Sequence, residues 1–334
     1  MIDYALIWAG LIAFAVLAYV VLDGFDLGVG ILFPFVQGKE NRDRMMNSVA
    51  PVWDGNETWL ILGGGGLLAV FPLAYSIILP ALYVPIFTML LALVFRGVAF
   101  EFRWKINSEK NFWDKAFAGG STVVAFAQGI VLGGLIEGIP VAGRAYAGGW
   151  WDWLTPFTVF TGVSLVIGYS LLGATWLVSK TEGELQEKAR YFARRAAFGT
   201  LFCIAVVSLY TPFVHEHFAH RWFKWPEMLY SIPVPILLLG CVWVLFRGLQ
   251  QEHGVRAYLG AVGIFVLSYI GLAMSFFPYM IPPSITLWEA AAPDVSLRFL
   301  LVGAVFLVPI ILAYTGYSYW VFRGKVGNTK GYHG

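Results

Sequence analysis

ALIWAGLIAFAVLAYVVLDGFDLGVGIL, residues 5–32, is apolar along its whole length except for two aspartates, Asp23 and Asp26. A helix that crosses a hydrocarbon core of roughly 30 Å needs about 20 such residues, each adding about 1.5 Å of rise. The stretch therefore reads as a membrane-spanning helix with two carboxylates inside it. Working outward, similar segments recur at residues 57–75, 77–100, 116–136, 156–178, 196–214, 229–247, 257–277 and 297–320. The expectation is an all-α polytopic membrane protein of about nine transmembrane helices, with residues 1–334 forming a single transmembrane domain. The least sharply marked junction separates the second and third segments, between Pro72 and Pro80. Alternating strand-length runs with turn signals are absent, which argues against a β-barrel.

Composition agrees. Hydrophobic residues make up 59% of the chain and charged ones only 13%, about half the fraction usual in soluble domains, roughly 25%. The mean hydropathy is +0.71. A soluble enzyme, a disordered chain and a disulfide scaffold are all excluded. The formal net charge of +2 gives no field that would draw nucleic acid. Cys203 and Cys241 lie in apolar runs and read as small buried hydrophobes.

The basic residues set the expected orientation. Of the 22 Lys and Arg, 18 fall in the odd-numbered loops and the C-terminal tail, while Arg144, Arg221, Lys224 and Arg298 lie opposite. The positive-inside rule then places the N-terminus in the periplasm and the C-terminus in the cytoplasm. Trp150, Trp151, Trp153, Trp222, Trp225 and Trp288 fall on the periplasmic side, as an interfacial aromatic belt would. Met1-Ile2-Asp3-Tyr4 lacks the basic flank of a signal peptide, so the first helix is expected to be retained. Residues 180–195, between helices five and six, form a polar cytoplasmic connecting segment. Glu184 and Lys188 there have the spacing of a helical ion pair, and Arg190, Arg194 and Arg195 are expected to lie against anionic headgroups.

The informative charges are those inside apolar segments. Asp23 and Asp26 are three apart, as are Asp54 and Glu57 at the start of the second segment; Arg96 and Glu101 close the third. The expected topology brings these six groups to one cytoplasmic-facing region. Asp23 lies about 20 Å below the end of a helix continued to Val36. Exposure of that carboxylate to lipid is too costly at about 2.5–3.5 kcal/mol or more. The acids must face the bundle, hold protons or pair with a cation such as Arg96. Two readings follow: a proton relay, or a structural network in which Gly24, Gly28 and Gly30 break the helix and lay residues 24–36 along the surface.

Other chemistry finds no footing. His253 and His333 fall in a loop and the tail, and His215, His217 and His220 cluster at the outer end of helix six, so no histidine is placed to ligate a mid-membrane haem. Met89 and Met274 read as core packing, and His215–His220 as interfacial polar residues before a surface metal site. Gly63–Gly66 lacks the Lys-Ser/Thr of a phosphate-binding loop; with Gly129 and Gly133 it reads as close helix packing. No Ser-His-Asp set can be assembled within the membrane.

At these same residues the chain resembles subunit II of the cytochrome bd-type quinol oxidases. The resemblance rests on Asp23-Gly-Phe-Asp26-Leu-Gly-Val-Gly30, on Met46-Asn-Ser-Val-Ala-Pro51-Val-Trp53-Asp54-Gly55-Asn56-Glu57-Thr58-Trp59, and on Phe95-Arg96-Gly-Val-Ala-Phe100-Glu101-Phe-Arg103. Residues 53–59, 63–72 and 79–85 are most similar to the cyanide-insensitive branch. The resemblance implies a heterodimer in the bacterial inner membrane with a homologous subunit I, which would carry b-type, or b- and d-type, haems and oxidise quinol. It also leaves room for a structural quinone and a small single-helix accessory subunit. By the same resemblance, this chain ligates no cofactor or metal and alone has no catalytic residue. Asp23, Asp26, Asp54 and Glu101, with Arg96 as the nearby cation, match positions of a cytoplasmic proton supply; Glu57 departs from the neutral residue common there. A proton-coupled transporter and a purely structural or assembly subunit are the alternatives. Acids confined to the first third argue against a transporter, which usually places them in paired broken helices.

Overall fold

Asp3 opens the first helix by accepting the backbone N–H of Leu6 at 2.9 Å, the usual N-cap arrangement. In the computed structural model, which describes residues 2–105, 110–250 and 254–327, α1 (Tyr4–Leu32) then runs unbroken for 29 residues and ends in a 3-10 turn, Phe33–Phe35. Met1, His253, Lys330 and His333 lie outside the described residues. The polar α2 (Lys39–Val49) follows at the basic end of the bundle. Next come α3 (Trp53–Val70), α4 (Pro72–Ala81), α5 (Tyr83–Lys105) and α6 (Lys110–Glu137). At the tryptophan-rich end a small hairpin, β1 (Val141–Ala142) and β2 (Ala145–Tyr146), pairs Val141 with Tyr146. It leads to α7 (Pro156–Lys180), α8 (Glu184–Val214), α9 (Glu216–Phe223), α10 (Met228–Ser231), α11 (Pro233–Gly248) and α12 (Val255–Phe276). A second hairpin, β3 (Tyr279–Ile281) and β4 (Ile285–Thr286), precedes α13 (Leu287–Ala290) and the last helix, α14 (Asp294–Val321).

Eight helices among the described residues are long and apolar enough to span a membrane, and α3 and α4 meet that test only when taken together as one broken unit. These two are bent by 118°, and this corrects the second and third expected segments. The second ends at Val70, residues 72–81 form a helix of their own, and the third begins at Tyr83. Pro72 is the physical reason: it lacks an N–H and suits only the first turn of a new helix. Helix α4 packs with Trp8, Phe71, Ile281 and Leu287 into a core at the tryptophan-rich end.

The surface-lying alternative for residues 24–36 is overturned. Gly24, Gly28 and Gly30 do not break α1; they let it touch its neighbours. A Cβ at Gly28 would fall on the backbone carbonyl of Tyr169 and the amide of Gly173, both in α7, and one at Gly30 on Ser121 of α6. Within lipid, helices associate through such close packing, because apolar side chains gain little by leaving apolar tails. Gly129 and Gly133 likewise admit Thr158, Thr161 and Gly162 of α7. The Gly63–Gly66 run behaves as expected only in part: Gly63 meets Val16 and Gly66 meets Ile12, while Gly64 and Gly65 face open space.

Residues 180–195 are not a separate connector. After a turn at Gly183 (φ +66°), α8 starts at Glu184 and continues to Val214. Glu184 and Glu187 suit its N-terminal dipole, and Lys188 reaches Glu184 at 2.7 Å. Met274, expected in the core, is half-exposed, whereas Met89 is buried. Trp150, Trp151, Trp225 and Trp288 are exposed at the end opposite the basic loops.

Candidate functional site

Three helices bring the sequence's acids together. In α1, Asp23 and Asp26 are both fully buried; α5 supplies Arg96, equally buried, and α3 supplies Glu57 and buried Asn56. The Arg96 guanidinium bridges two helices. Its Nη2 lies 3.1 Å from Asp23 Oδ1, and its Nη1 donates to Glu57 Oε1 at 2.5 Å. Asn56 donates to Asp26 Oδ2 at 2.7 Å and to the Leu22 carbonyl at 3.1 Å. The hydroxyl of Tyr319, from α14, in turn donates to Asn56 Oδ1 at 3.0 Å. A second chain leads inward: Tyr169 donates to Gln128 Oε1 at 2.8 Å, and Gln128 donates to the Tyr19 hydroxyl at 2.6 Å. Tyr19 sits one helical turn from Asp23 on α1.

The six residues expected in this region divide. Asp23, Asp26, Glu57 and Arg96 form one cluster, with Asp23 and Glu57 on the guanidinium and Asp26 beside them on Asn56. Full ionisation would leave it two negative charges in excess, a costly state in so dry a place. Glu57 is its outermost member, with 24% of its side chain exposed, and Asp54 lies exposed one turn earlier on α3. Glu101 does not join: it is exposed and pairs with Lys105 at 3.3 Å. Asn56, Tyr19, Gln128, Tyr169 and Tyr319 are partners that sequence reasoning missed. Gln128 had left a signal, a lone amide in an apolar span; nothing in the sequence marked Tyr319.

A second ionic network, also missed, lies nearer the basic end. Arg103 bonds to Asp114 Oδ1 at 2.5 Å and Asp43 Oδ1 at 2.7 Å, and Arg42 reaches Asp114 Oδ2 at 3.0 Å. It ties α2, α5 and α6 together. An aromatic layer divides the two networks. Trp53 stacks on Phe100 at 4.6 Å, and Phe117 meets both Phe100 and Phe33 edge-on. Arg96 lies over Phe100 on one side, and Arg103 over Phe33 on the other. These rings lie between the buried acids and the Arg103 network; the cluster reaches the surface through half-buried Glu57, with exposed Asp54 one turn earlier at the start of α3.

The histidines stand apart from this site. His215 caps α8, and His217 lies 5.8 Å from it, ring to ring, in α9. Among the described residues no three His, Cys, Asp or Glu are grouped to hold a metal, and none of the histidines lies within a span. Burial pushes both imidazoles below the usual histidine range; the neighbouring ring and Arg221 add to this at His217, while backbone contacts at Ile136, Glu137 and Ser275 oppose it. A depressed histidine stabilises the fold above the unfolded value of about 6.5, and this is lost as pH falls below it. Hydrogen-exchange protection factors in α9 and the β3–β4 hairpin should therefore fall below about pH 6.5. His217→Gln should flatten that dependence.

The cytochrome bd terminal oxidase subunit II family model matches residues 4–322. Cytochrome bd-I ubiquinol oxidase subunit 2 of Escherichia coli K12 is 31% identical, with 98% of this chain and 97% of that protein covered. Cytochrome bd ubiquinol oxidase subunit 2 of Bacillus subtilis 168 is 28% identical over 97% of each. The fold matches a chain of the bd oxidase structure from Geobacillus thermodenitrificans with a TM-score of 0.78 at 18% identity, covering 96% of this chain and 99% of that one. By the extent of these matches, the chain belongs to the cytochrome bd terminal oxidase subunit II family.

Proposed function

We propose that this chain is the partner of a haem-bearing subunit I in a quinol:dioxygen oxidoreductase, and that its buried acid cluster helps supply protons for reduction of oxygen to water. The basic end is then cytoplasmic, with the N-terminus periplasmic, in keeping with the positive-inside rule. The haems belong to subunit I, where they supply electron transfer to oxygen. Among the described residues no histidine lies within a span to serve as an axial haem ligand. A bound quinone and a single-helix accessory subunit belong to the same family-level reading, with no residue assigned to either.

The observation that carries the proposal is the pairing of Asp23 and Glu57 with one buried guanidinium, with a third carboxylate, Asp26, buried beside them on Asn56 and Glu57 reaching the surface. Neutrality requires protons on the cluster, so it can store and exchange them. Asp54 collects a proton at the surface, Glu57 receives it, and Asp23 and Asp26 hold it. Arg96 fixes Glu57 and Asp23 within reach of each other, with a charge that does not titrate. Gln128 and Tyr19 orient the inner end.

The proposal is tested by Asp23→Asn and Asp54→Asn in the complex with subunit I fully haem-loaded. Quinol oxidation per assembled complex should fall at least about tenfold, as loss of a required proton-transfer group does. A purely structural role for the acids would instead lower the yield of complex and leave turnover per haem unchanged; that result rejects the proposal.

A further inference from the structure

Away from the acid cluster, a polar cleft of about 560 Å³ opens at the basic end between the start of α8 and the end of α11. Glu187, Arg190, Tyr191, Arg194, Arg195 and Leu249 line it. Arg190 is built into the wall: its Nη1 donates to the Leu249 carbonyl at 3.1 Å and its Nε lies 3.6 Å from Glu187 Oε1. Arg195 is laid over the Tyr191 ring, 4.2 Å from the centroid. Arg194 and Arg195 are both exposed, and neither has a carboxylate partner among the described residues. Arg194 and Arg195 therefore present two guanidinium charges to the cleft.

What lies below the arginines identifies the occupant. Tyr191, Arg195, Phe198 and Phe202 follow helical spacing down one face of α8, and Phe198 and Phe202 are 66% and 64% exposed. Phe198 also contacts Phe246 of α11, centroid to centroid at 5.3 Å. The basic cleft therefore caps an apolar wall that descends into the membrane. A free phosphate would use only the arginines, whereas a lipid would use both. We propose that this cleft binds one anionic lipid whose headgroup carries two phosphates, with Arg194 and Arg195 as its movable contacts and Arg190 as its fixed wall.

The test uses the delipidated two-subunit complex, titrated with tetraoleoyl cardiolipin and read by native mass spectrometry. Wild-type complex should retain one more cardiolipin than R194Q/R195Q, and affinity at that site should drop roughly 30-fold in the variant, from about 1 kcal/mol per basic residue at a membrane surface. Lys105→Gln, which removes an exposed base from the same end of the bundle, should retain the lipid. Inorganic pyrophosphate should not displace it, and dioleoylphosphatidylglycerol should bind more weakly. Equal cardiolipin retention by wild type and R194Q/R195Q overturns the site. Displacement by pyrophosphate makes it a free-phosphate site, and equal binding of the monophosphate lipid refutes the two-phosphate assignment. The single variants R194Q and R195Q, each expected to lose part of the affinity, decide the matter if the double variant does not assemble.

Discussion

Arg96→Met should sharply reduce the amount of folded subunit, because it leaves Asp23 buried with no cation beside it. Asp23 and Arg96 are both fully buried, 3.1 Å apart. Removing one partner of a buried ion pair costs about 3–5 kcal/mol, since the other charge stays in low dielectric. That is a large share of a typical stability of about 5–15 kcal/mol. Arg96→Lys should be milder yet still impaired, because an ammonium cannot span Asp23 and Glu57 as the planar guanidinium does. The double variant R96M/D23N should recover part of the loss, since it removes the stranded carboxylate with its cation. Thermal melting monitored by size-exclusion chromatography reads all three. An R96M subunit as stable as wild type would mean that the pair bears none of the fold's energy.

Substitution at Gly28 should be as damaging for a steric reason. The added Cβ meets the Tyr169 carbonyl and the Gly173 amide, which are backbone atoms and cannot rotate aside. Helices α1 and α7 would have to part, and the Tyr169–Gln128–Tyr19 chain spans that contact. Overpacking costs about 1–3 kcal/mol where side chains can yield, so Gly28→Ala should cost at least that and lower the melting temperature by several degrees. Gly119→Ala is the control: nothing lies within 4 Å of its Cβ position. It should hold or slightly raise stability, through the better helix propensity of alanine. Equal melting of the two variants would contradict the packing described for α1 and α7.

Why some of this could be read from residues alone, and some not, is itself physical. Spans are legible because lipid demands about 20 apolar residues per helix, a local property. Acids inside those spans are conspicuous because their burial is costly, and so Asp23, Asp26, Glu57 and Arg96 stood out. Their mutual distances depend on how α1, α3 and α5 pack, which no local pattern states. Asp54 and Glu101 carried the same sequence signal and yet face outward, since a charge near a helix end can do so at little cost. The glycines of α1 were ambiguous because glycine serves both to break a helix and to admit a neighbour; only the position of α7 decides between these. The bend at Pro72 was marked by proline, but its angle was not. The Arg103–Asp114–Asp43 network joins residues far apart in sequence near the membrane boundary, where charges are ordinary and attract no notice.

The central claim, that the cluster passes protons from the basic side toward the oxygen chemistry of the partner, is tested most directly by proton uptake in oriented proteoliposomes. The complex would carry Glu57→Gln, which removes the outermost buried carboxylate while keeping an amide of similar shape beside Arg96. With haem content matched to wild type, uptake from the side bearing the basic loops during a single reduction of oxygen should slow at least about tenfold. Uptake at the wild-type rate in that fully assembled variant would contradict the account.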